Sequence, residues 1–126
     1  MTTIVLTPMS AGFSQLEQVY RDGVSPQLDP NCKPAVELAA SRIAEAAAGG
    51  AAVYGVNTGF GKLASVKVAP EDTAQLQRNL ILSHCCGVGE AMPEAHVRLM
   101  MTLKLLSFGR GASGVRWALV ALLEGM

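Results

Sequence analysis

A tyrosine in a glycine-rich segment is the side chain in this sequence best suited to acid–base chemistry. Tyr54 is followed closely by Gly55, Gly59 and Gly61. A phenol is protonated near neutral pH, so it acts as a base only if its surroundings help to remove the proton. A tyrosine that packs its ring and bonds its hydroxyl to a carbonyl group is the more common case. The pattern alone leaves both roles open.

The two histidines differ in their sequence context. His84 follows Leu76 and Leu80 at intervals of four residues, which places all three on one face of a helix. A position at the end of that helix favours a charged imidazole, but a partly buried, hydrogen-bonded histidine would show the same pattern. His96 falls in the first turns of another predicted helix without an evident partner. We expect His96 to be structural or to face solvent.

Two glycine-rich stretches resemble nucleotide-binding motifs but lack the context of such motifs. The glycine spacing in Gly55–Lys62 differs from that of a phosphate loop by one residue, and Leu63 replaces the required Ser or Thr. Residues 109–114 match G-x-G-x-x-G, but they follow an apolar helical pattern instead of a strand. Ser113 lacks the G-x-S-x-G frame, and no acid–histidine pair follows it. Nucleotide binding and hydrolase chemistry are therefore disfavoured.

The composition favours helices and argues against several classes of partner. Half of the 126 residues are hydrophobic, 16% are charged and 5% are aromatic, which suits closely packed helices better than a β-sandwich. The formal net charge is zero, so we expect no nucleic acid partner. No apolar run is long enough to cross a bilayer, and the N-terminal residues do not resemble a signal peptide. We therefore expect no membrane partner.

The cysteines point to a reducing compartment. Cys32, Cys85 and Cys86 are an odd number and include one adjacent pair, which is not the pattern of a disulfide framework. Reduced thiols in the cytoplasm are the simplest interpretation. Because no second Cys/His pair lies at zinc-like spacing, we expect no metal site.

The sequence predicts one short extended piece, Thr3–Leu6, and then a series of helices. These are expected over 13–21 with Ser10 as cap and Gly23 as stop, from Asp29 to Ala48, from Pro70 until Gly87 and Gly89, from Pro93 to about Phe108, and from Ser113 onwards. Residues 52–61 should form a loop. The helix over 93–108 is apolar nearly all round, so protein must surround it. The last helix still runs at Met126, and we expect that the natural protein continues.

Several segments, taken in order, resemble the aromatic amino-acid ammonia-lyases. The likeness spans roughly Leu6 to Met126, and the ordered series is more specific than any single motif. It implies a mainly α fold, with residues 1–126 as an N-terminal helical domain of the fumarase/aspartase-like ammonia-lyase superfamily. The segments are Tyr54-Gly55-Val56-Asn57-Thr58-Gly59-Phe60-Gly61, Leu76-Gln77-Arg78-Asn79-Leu80, Ser83-His84-Cys85-Cys86-Gly87-Val88-Gly89, Val97-Arg98, Lys104 and Ser113-Gly114-Val115-Arg116.

Within that family, the Ser83-His84 pair is most similar to the histidine ammonia-lyases, although tyrosine-specific relatives can also carry the histidine. The resemblance implies elimination of ammonia from L-histidine to give trans-urocanate, a step of histidine catabolism. It implies that Tyr54 removes the β-proton and that His84 and Gly61 contact the substrate. The residues implied to shape the loop and pocket are Asn57, Gly59 and Leu63.

The resemblance also implies a methylidene-imidazolone prosthetic group, which forms when an internal Ala-Ser-Gly cyclises and loses water. Ala112-Ser113-Gly114 has the right letters but belongs to the Ser-Gly-Val-Arg stretch. In the family, the reactive tripeptide lies later, in a Gly-Ser-Val-Gly-Ala-Ser-Gly-Asp-Leu type of context. We therefore expect the reactive tripeptide beyond Met126, none within this chain, and no catalysis by the 126-residue chain alone.

The family resemblance further implies a homotetramer whose active sites are built from several subunits. Two other interpretations stay open at this point. One is a tyrosine ammonia-lyase or an aminomutase of the same family. The other is a truncated, non-catalytic paralogue that only binds partner subunits through its apolar helices.

Overall fold

The computed structural model describes residues 2–126, which form two compact units. The first unit comprises the chain up to Ser41 together with Ala91–Met126, and the second comprises Arg42–Glu90. The fold is mainly helical, as the sequence predicts. No helix within residues 2–126 has both the length and the apolar character needed to cross a membrane.

The first unit begins with two short parallel strands. β1 (Thr3–Leu6) confirms the predicted extended piece and pairs with β2 (Ser25–Leu28), with Leu6 opposite Leu28. The sequence did not predict β2. It is only four residues long and contains Pro26, which lacks a backbone donor and disfavours a strand unless a partner and an edge position are available.

The connection between the strands is helical. α1 (Phe13–Glu17) continues as a π-helix over Gln18–Asp22, and Gly23 ends it with a φ of 68°, as predicted. The predicted cap, Ser10, is wrong. Gly12 occupies the cap position and donates its N–H to the Gln15 side chain at 3.0 Å. Ser10 instead donates its hydroxyl to the carbonyl of Thr7 in the preceding turn, a local bond that competes with capping.

The next two helices begin as predicted. Asp29 accepts a hydrogen bond from the N–H of Asn31 at 2.9 Å and opens a short 3₁₀ turn, after which α2 runs over Lys33–Ala48. In the second unit, α3 covers Pro70–His84, with acidic residues in its first turn. This helix ends before Gly87, earlier than the glycines that were expected to stop it.

The core of the first unit lies where β2, α2 and the last two helices meet. These helices are α4 (Glu94–Gly109) and α5 (Trp117–Glu124). Glu124 accepts the N–H of Leu28 at 2.7 Å, so the end of α5 is tied to β2. The buried apolar cluster consists of Leu28, Val36, Leu105, Phe108 and Val120.

Two expectations for the last helix need correction. α5 begins at Trp117, later than the predicted Ser113, and it ends at Glu124 instead of running to Met126. Within residues 2–126, α4 keeps Met100 57% exposed and Leu103 49% exposed, so the complete cover expected for this helix stays a prediction.

His96 is exposed and structural, as expected, but it has a side-chain partner that the sequence did not reveal. Its Nε2 lies 3.1 Å from the hydroxyl of Tyr20, and the two rings are 5.4 Å apart. Since Tyr20 is 76 residues away in sequence, only the folded chain reveals this pair. His96 is exposed, and the bond to Tyr20 gives it a structural role in the first unit.

Candidate active site

The predicted catalytic tyrosine lies in a tight turn of the second unit. The N–H groups of Val56 and Asn57 both donate to the carbonyl of Val53, at 3.1 and 3.2 Å. Gly55 has a φ of 77°, which a residue with a side chain rarely adopts. The turn holds Tyr54 at its tip, and the side chain is 66% exposed. The predicted loop is confirmed, and it carries the phenol on its outer side.

Asn57 is the buried centre of this turn, with 1% of its surface exposed. Its Oδ1 accepts the N–H of Val53 at 2.8 Å, and its Nδ2 donates to the carbonyls of Ala51 at 3.0 Å and Ala46 at 3.5 Å. One side chain therefore joins the turn to the end of α2. A buried amide group that is satisfied in this way keeps the local backbone in one conformation.

The segment after Asn57 folds back on itself. Gly59 donates its N–H to the carbonyl of Val66 at 3.0 Å, and Val68 donates to the carbonyl of Asn57 at 2.9 Å. Thr58, which is also buried, forms an isolated antiparallel bridge with Lys67. These bonds close residues 53–68 into a compact loop, which we call the Tyr54 loop.

Gly59 and Leu63 come into direct contact inside the Tyr54 loop. A Cβ added at Gly59 would lie 2.7 Å from the Cβ of Leu63 and 2.8 Å from its carbonyl oxygen, so no larger residue fits without moving the backbone. Leu63 ends a 3₁₀ turn that begins at Gly61, whose φ is 57°. The Leu63 side chain itself is exposed. The structure thus places the predicted residues Gly59, Gly61 and Leu63 in the same loop as Tyr54.

The Tyr54 ring has one aromatic neighbour, Phe60, which meets it edge-on at a centroid distance of 6.1 Å. Within residues 2–126 the Tyr54 hydroxyl makes no hydrogen bond with another protein group. Within these residues, Tyr54 therefore does not have the common structural role of a phenol that is bonded to a carbonyl group. The hydroxyl is left available to a substrate or to another protein segment.

His84, the predicted substrate contact, is the last residue of α3 and is exposed. Its Nδ1 lies 2.9 Å from the carbonyl of Leu80 and 3.0 Å from the hydroxyl of Ser83. A carbonyl can only accept, so Nδ1 carries the hydrogen in the neutral ring. Nε2 is then the acceptor nitrogen of that ring. No hydrogen bond or ring contact joins Tyr54 to His84 in the described residues.

A third side chain, Gln77 on α3, contacts the Tyr54 loop and was not predicted from the sequence. Its Nε2 lies 3.3 Å from the carbonyl of Val56 and 3.5 Å from that of Gly55. Gln77 therefore connects the Tyr54 loop to the helix that ends in His84. A spacing of seven residues puts Gln77 and His84 two turns apart on one face of the helix. This spacing was the one feature of the sequence that could have linked Gln77 to the site. Nothing in the sequence reveals that this face meets the loop.

The geometry offers two side chains for acid–base or binding chemistry, the phenol of Tyr54 and the imidazole of His84. Residues 2–126 contain no group of three or more His, Cys, Asp or Glu side chains arranged to hold a metal ion. An exposed phenol on a closed loop, next to a helix that ends in a histidine, defines a candidate acid–base site on a mainly helical scaffold.

Comparison with known proteins gives the class of the protein. The sequence matches the family described as aromatic amino acid lyase over residues 12–126. The chain belongs to this family, whose members are ammonia-lyases and aminomutases that use a methylidene-imidazolone prosthetic group.

Solved structures show the same fold. Tyrosine aminomutase from Streptomyces globisporus superposes with a TM-score of 0.88 at 21% identity over 98% of this chain. Ergothionase from Treponema denticola, an ergothioneine-degrading enzyme, superposes with a TM-score of 0.87 at 25% identity over 97% of this chain. Phenylalanine aminomutase from Pantoea agglomerans superposes with a TM-score of 0.84 at 22% identity over 97% of this chain. The chain spans 24% of the length of each of these three proteins.

The Ala112-Ser113-Gly114 tripeptide lies in the connection between α4 and α5. Ala112 and Ser113 are exposed, and Gly114 has a φ of 66°. The tripeptide belongs to the first unit, whereas Tyr54 belongs to the second. That Ala112-Ser113-Gly114 is not the reactive tripeptide stays a prediction, because it depends on the sequence context alone.

Proposed function

We propose that this chain is part of a histidine ammonia-lyase, which eliminates ammonia from L-histidine to give trans-urocanate. The observation that carries the proposal is an exposed Tyr54, whose hydroxyl has no hydrogen-bond partner within residues 2–126, on a loop closed by its own hydrogen bonds. Family membership supports lyase chemistry, and His84 supports an imidazole substrate.

Tyr54 acts as the base in this proposal. The β-proton of histidine is not acidic, so its removal needs a base held close to the carbon, with electrons drawn toward the leaving amine. The Tyr54 loop supplies the placement, because Asn57 and Gly59 hold the turn from inside. The methylidene-imidazolone group supplies the electron withdrawal when it is present.

The Tyr54 side chain fits a partner that comes from elsewhere in the protein. Its ring lies edge-on to Phe60, the residue is 66% exposed, and its hydroxyl makes no hydrogen bond within residues 2–126, so an additional segment can approach it. We place the reactive Ala-Ser-Gly in residues after Met126, and the fragment alone is then inactive. We also propose a homotetramer with shared active sites, which would cover exposed apolar residues such as Met100 and Leu103.

His84 selects the substrate ring. With its Nδ1 hydrogen held by the carbonyl of Leu80, the free Nε2 accepts a hydrogen bond from the N–H of the histidine imidazole. The same acceptor can take the hydroxyl hydrogen of a tyrosine substrate. This keeps a tyrosine ammonia-lyase or an aminomutase as the alternative, which is equally compatible with the family and with the two aminomutases among the similar structures.

The first experiment tests the base. In the full-length protein that contains this chain, Tyr54→Phe should lower kcat for histidine by about 10²- to 10⁴-fold, the usual contribution of a placed base, while the protein remains folded. Tyr20→Phe is the matched control, because Tyr20 and the His96 that its hydroxyl contacts both belong to the first unit, whereas Tyr54 belongs to the second. Retained turnover in Tyr54→Phe removes Tyr54 as the base.

The second experiment tests the substrate. Urocanate formation from histidine is measured beside ammonia release and β-amino acid formation from tyrosine and phenylalanine. We expect histidine to be the preferred substrate, and His84→Leu to reduce that preference. Turnover of tyrosine in place of histidine would establish the alternative. No turnover of any of the three, despite an intact Ala-Ser-Gly downstream, would favour the non-catalytic paralogue.

A further inference from the structure

We propose that Gln77 is a positioning residue for Tyr54, holding the loop at a set distance from α3 through the two carbonyl groups that follow the tyrosine. This inference rests on the proposed function, since it assigns a further residue to the same site. It does not make Gln77 a catalytic residue, because the hydrogen bonds of its side chain within residues 2–126 go to the loop backbone.

The contacts are specific to the Tyr54 turn. The Gln77 amide nitrogen lies 3.3 Å from the carbonyl oxygen of Val56 and 3.5 Å from that of Gly55. A primary amide has two hydrogens to donate, so the Gln77 amide can bond the Val56 carbonyl and keep a longer, weaker contact with that of Gly55. Gln77 is half-buried, in contrast to Gln75, Arg78 and Asn79 on the same helix, which are exposed.

The turn is held from two sides by different side chains. Asn57 ties it to the end of α2 through Ala46 and Ala51. Gln77 ties it to α3, a helix of 15 residues. Gly55 has a positive φ and lacks a side chain that could pack against the rest of the loop. Side-chain packing at this position therefore does not hold the backbone next to Tyr54. Loss of the Gln77 contacts leaves that backbone free to pivot about Asn57.

A pivot at this point matters because Tyr54 and His84 act on one substrate in the proposed reaction. Gln77 and His84 lie on the same helix, so the amide contacts set the position of the base relative to the element that carries the imidazole. A displacement of about 1 Å at a catalytic group can lower a rate by up to about 100-fold. Substrate binding depends less on the phenol, so KM should change little.

The test replaces an amide by a carboxylate of the same shape. Gln77→Glu removes both donor hydrogens and sets a negative oxygen against two carbonyl oxygens. Gln75→Glu is the matched control. It makes the same chemical change on the same helix, where the Gln75 amide bonds only the Asn79 side chain at 2.7 Å. Both variants are made in the full-length protein, with wild type alongside.

Two readouts are measured for each variant. The first is the split between kcat and KM, for which we expect Gln77→Glu to lower kcat by about 10- to 100-fold and to change KM by less than about threefold. The second is amide hydrogen exchange of the peptide that covers residues 53–57, which should quicken in Gln77→Glu and stay unchanged in Gln75→Glu.

The outcomes separate this inference from the proposed function. Wild-type kcat and wild-type exchange in Gln77→Glu would overturn the positioning role, as would an equal loss in Gln75→Glu. A fall in kcat/KM carried by KM alone would also overturn it, since that pattern indicates a binding contact. If wild type turns over no amino acid, the proposed function fails, and the exchange of residues 53–57 still decides whether Gln77 holds the loop.

Discussion

Asn57→Leu is the perturbation that most directly tests how the Tyr54 loop is held. The change keeps a similar side-chain volume and removes every hydrogen bond of the amide. The N–H of Val53 loses its acceptor at 2.8 Å, and the carbonyl of Ala51 loses its donor at 3.0 Å. The contact with Ala46 at 3.5 Å is long, so we count two effective bonds.

The expected magnitude follows from those two bonds. Leaving a buried or half-buried polar group without its partner costs about 1–3 kcal/mol. Two such groups in a partly solvated turn give about 2–4 kcal/mol for opening of the loop. Since about 1.4 kcal/mol corresponds to a factor of ten, the open population rises about 30- to 900-fold. Most of this is a local effect, because within residues 2–126 the Asn57 side chain bonds only to Ala46, Ala51 and Val53.

Limited proteolysis measures this opening. Lys62 is exposed on the Tyr54 loop, and trypsin needs an extended segment around it, so the cleavage rate follows the open population when opening is fast. We expect cleavage after Lys62 to accelerate by the same 30- to 900-fold. Asn79→Leu is the control, since Asn79 is exposed on α3 and accepts only from Gln75. An acceleration below about threefold, or one no larger than in the control, would refute the account given for Asn57.

Two further predictions concern the glycine contact in the loop and a thiol in the first unit. Gly59→Ala should destabilise the loop by about 1–3 kcal/mol, because its Cβ meets the backbone of Leu63 at 2.8 Å. Gly87→Ala is the control and should not destabilise the protein, because a Cβ at Gly87 meets nothing within 4 Å. Equal urea midpoints of unfolding for the two variants would contradict the prediction. Burial raises the pKa of the Cys32 thiol, and the charge of Asp29 raises it further. Cys32 should therefore alkylate more slowly than a free cysteine. Asp29→Asn should speed the reaction only in part, since burial remains, and an unchanged rate would rule out the charge effect.

The parts of the fold that depend on local signals could be predicted from the sequence. Pro70 and the acidic residues behind it predict the start of α3, and the glycines around Tyr54 predict a loop. These signals work because capping, turn conformations and helical periodicity involve residues close together in the chain. The family could also be predicted, since its motifs occur in a fixed order.

Other features depended on which distant groups meet after folding. β2 exists because β1 lies beside it, and the bond between His96 and Tyr20 joins residues 76 apart. The role of Gln77 has the same origin, because an amide on a helix face carries no mark of the carbonyls it will contact. Asn57 was predicted to shape the loop, but only the folded chain shows which groups it bonds.

The amino-acid sequence by itself determined the chemistry available to this protein, namely a phenol on a glycine-rich loop, an imidazole at a helix end and the motifs of its family. Tertiary structure alone decided how that chemistry is presented. It left the Tyr54 hydroxyl exposed and placed two amide side chains, from Asn57 and Gln77, against the backbone of its turn. The physical reason is that side-chain hydrogen bonds depend on distances in space, which covalent order along a chain does not specify.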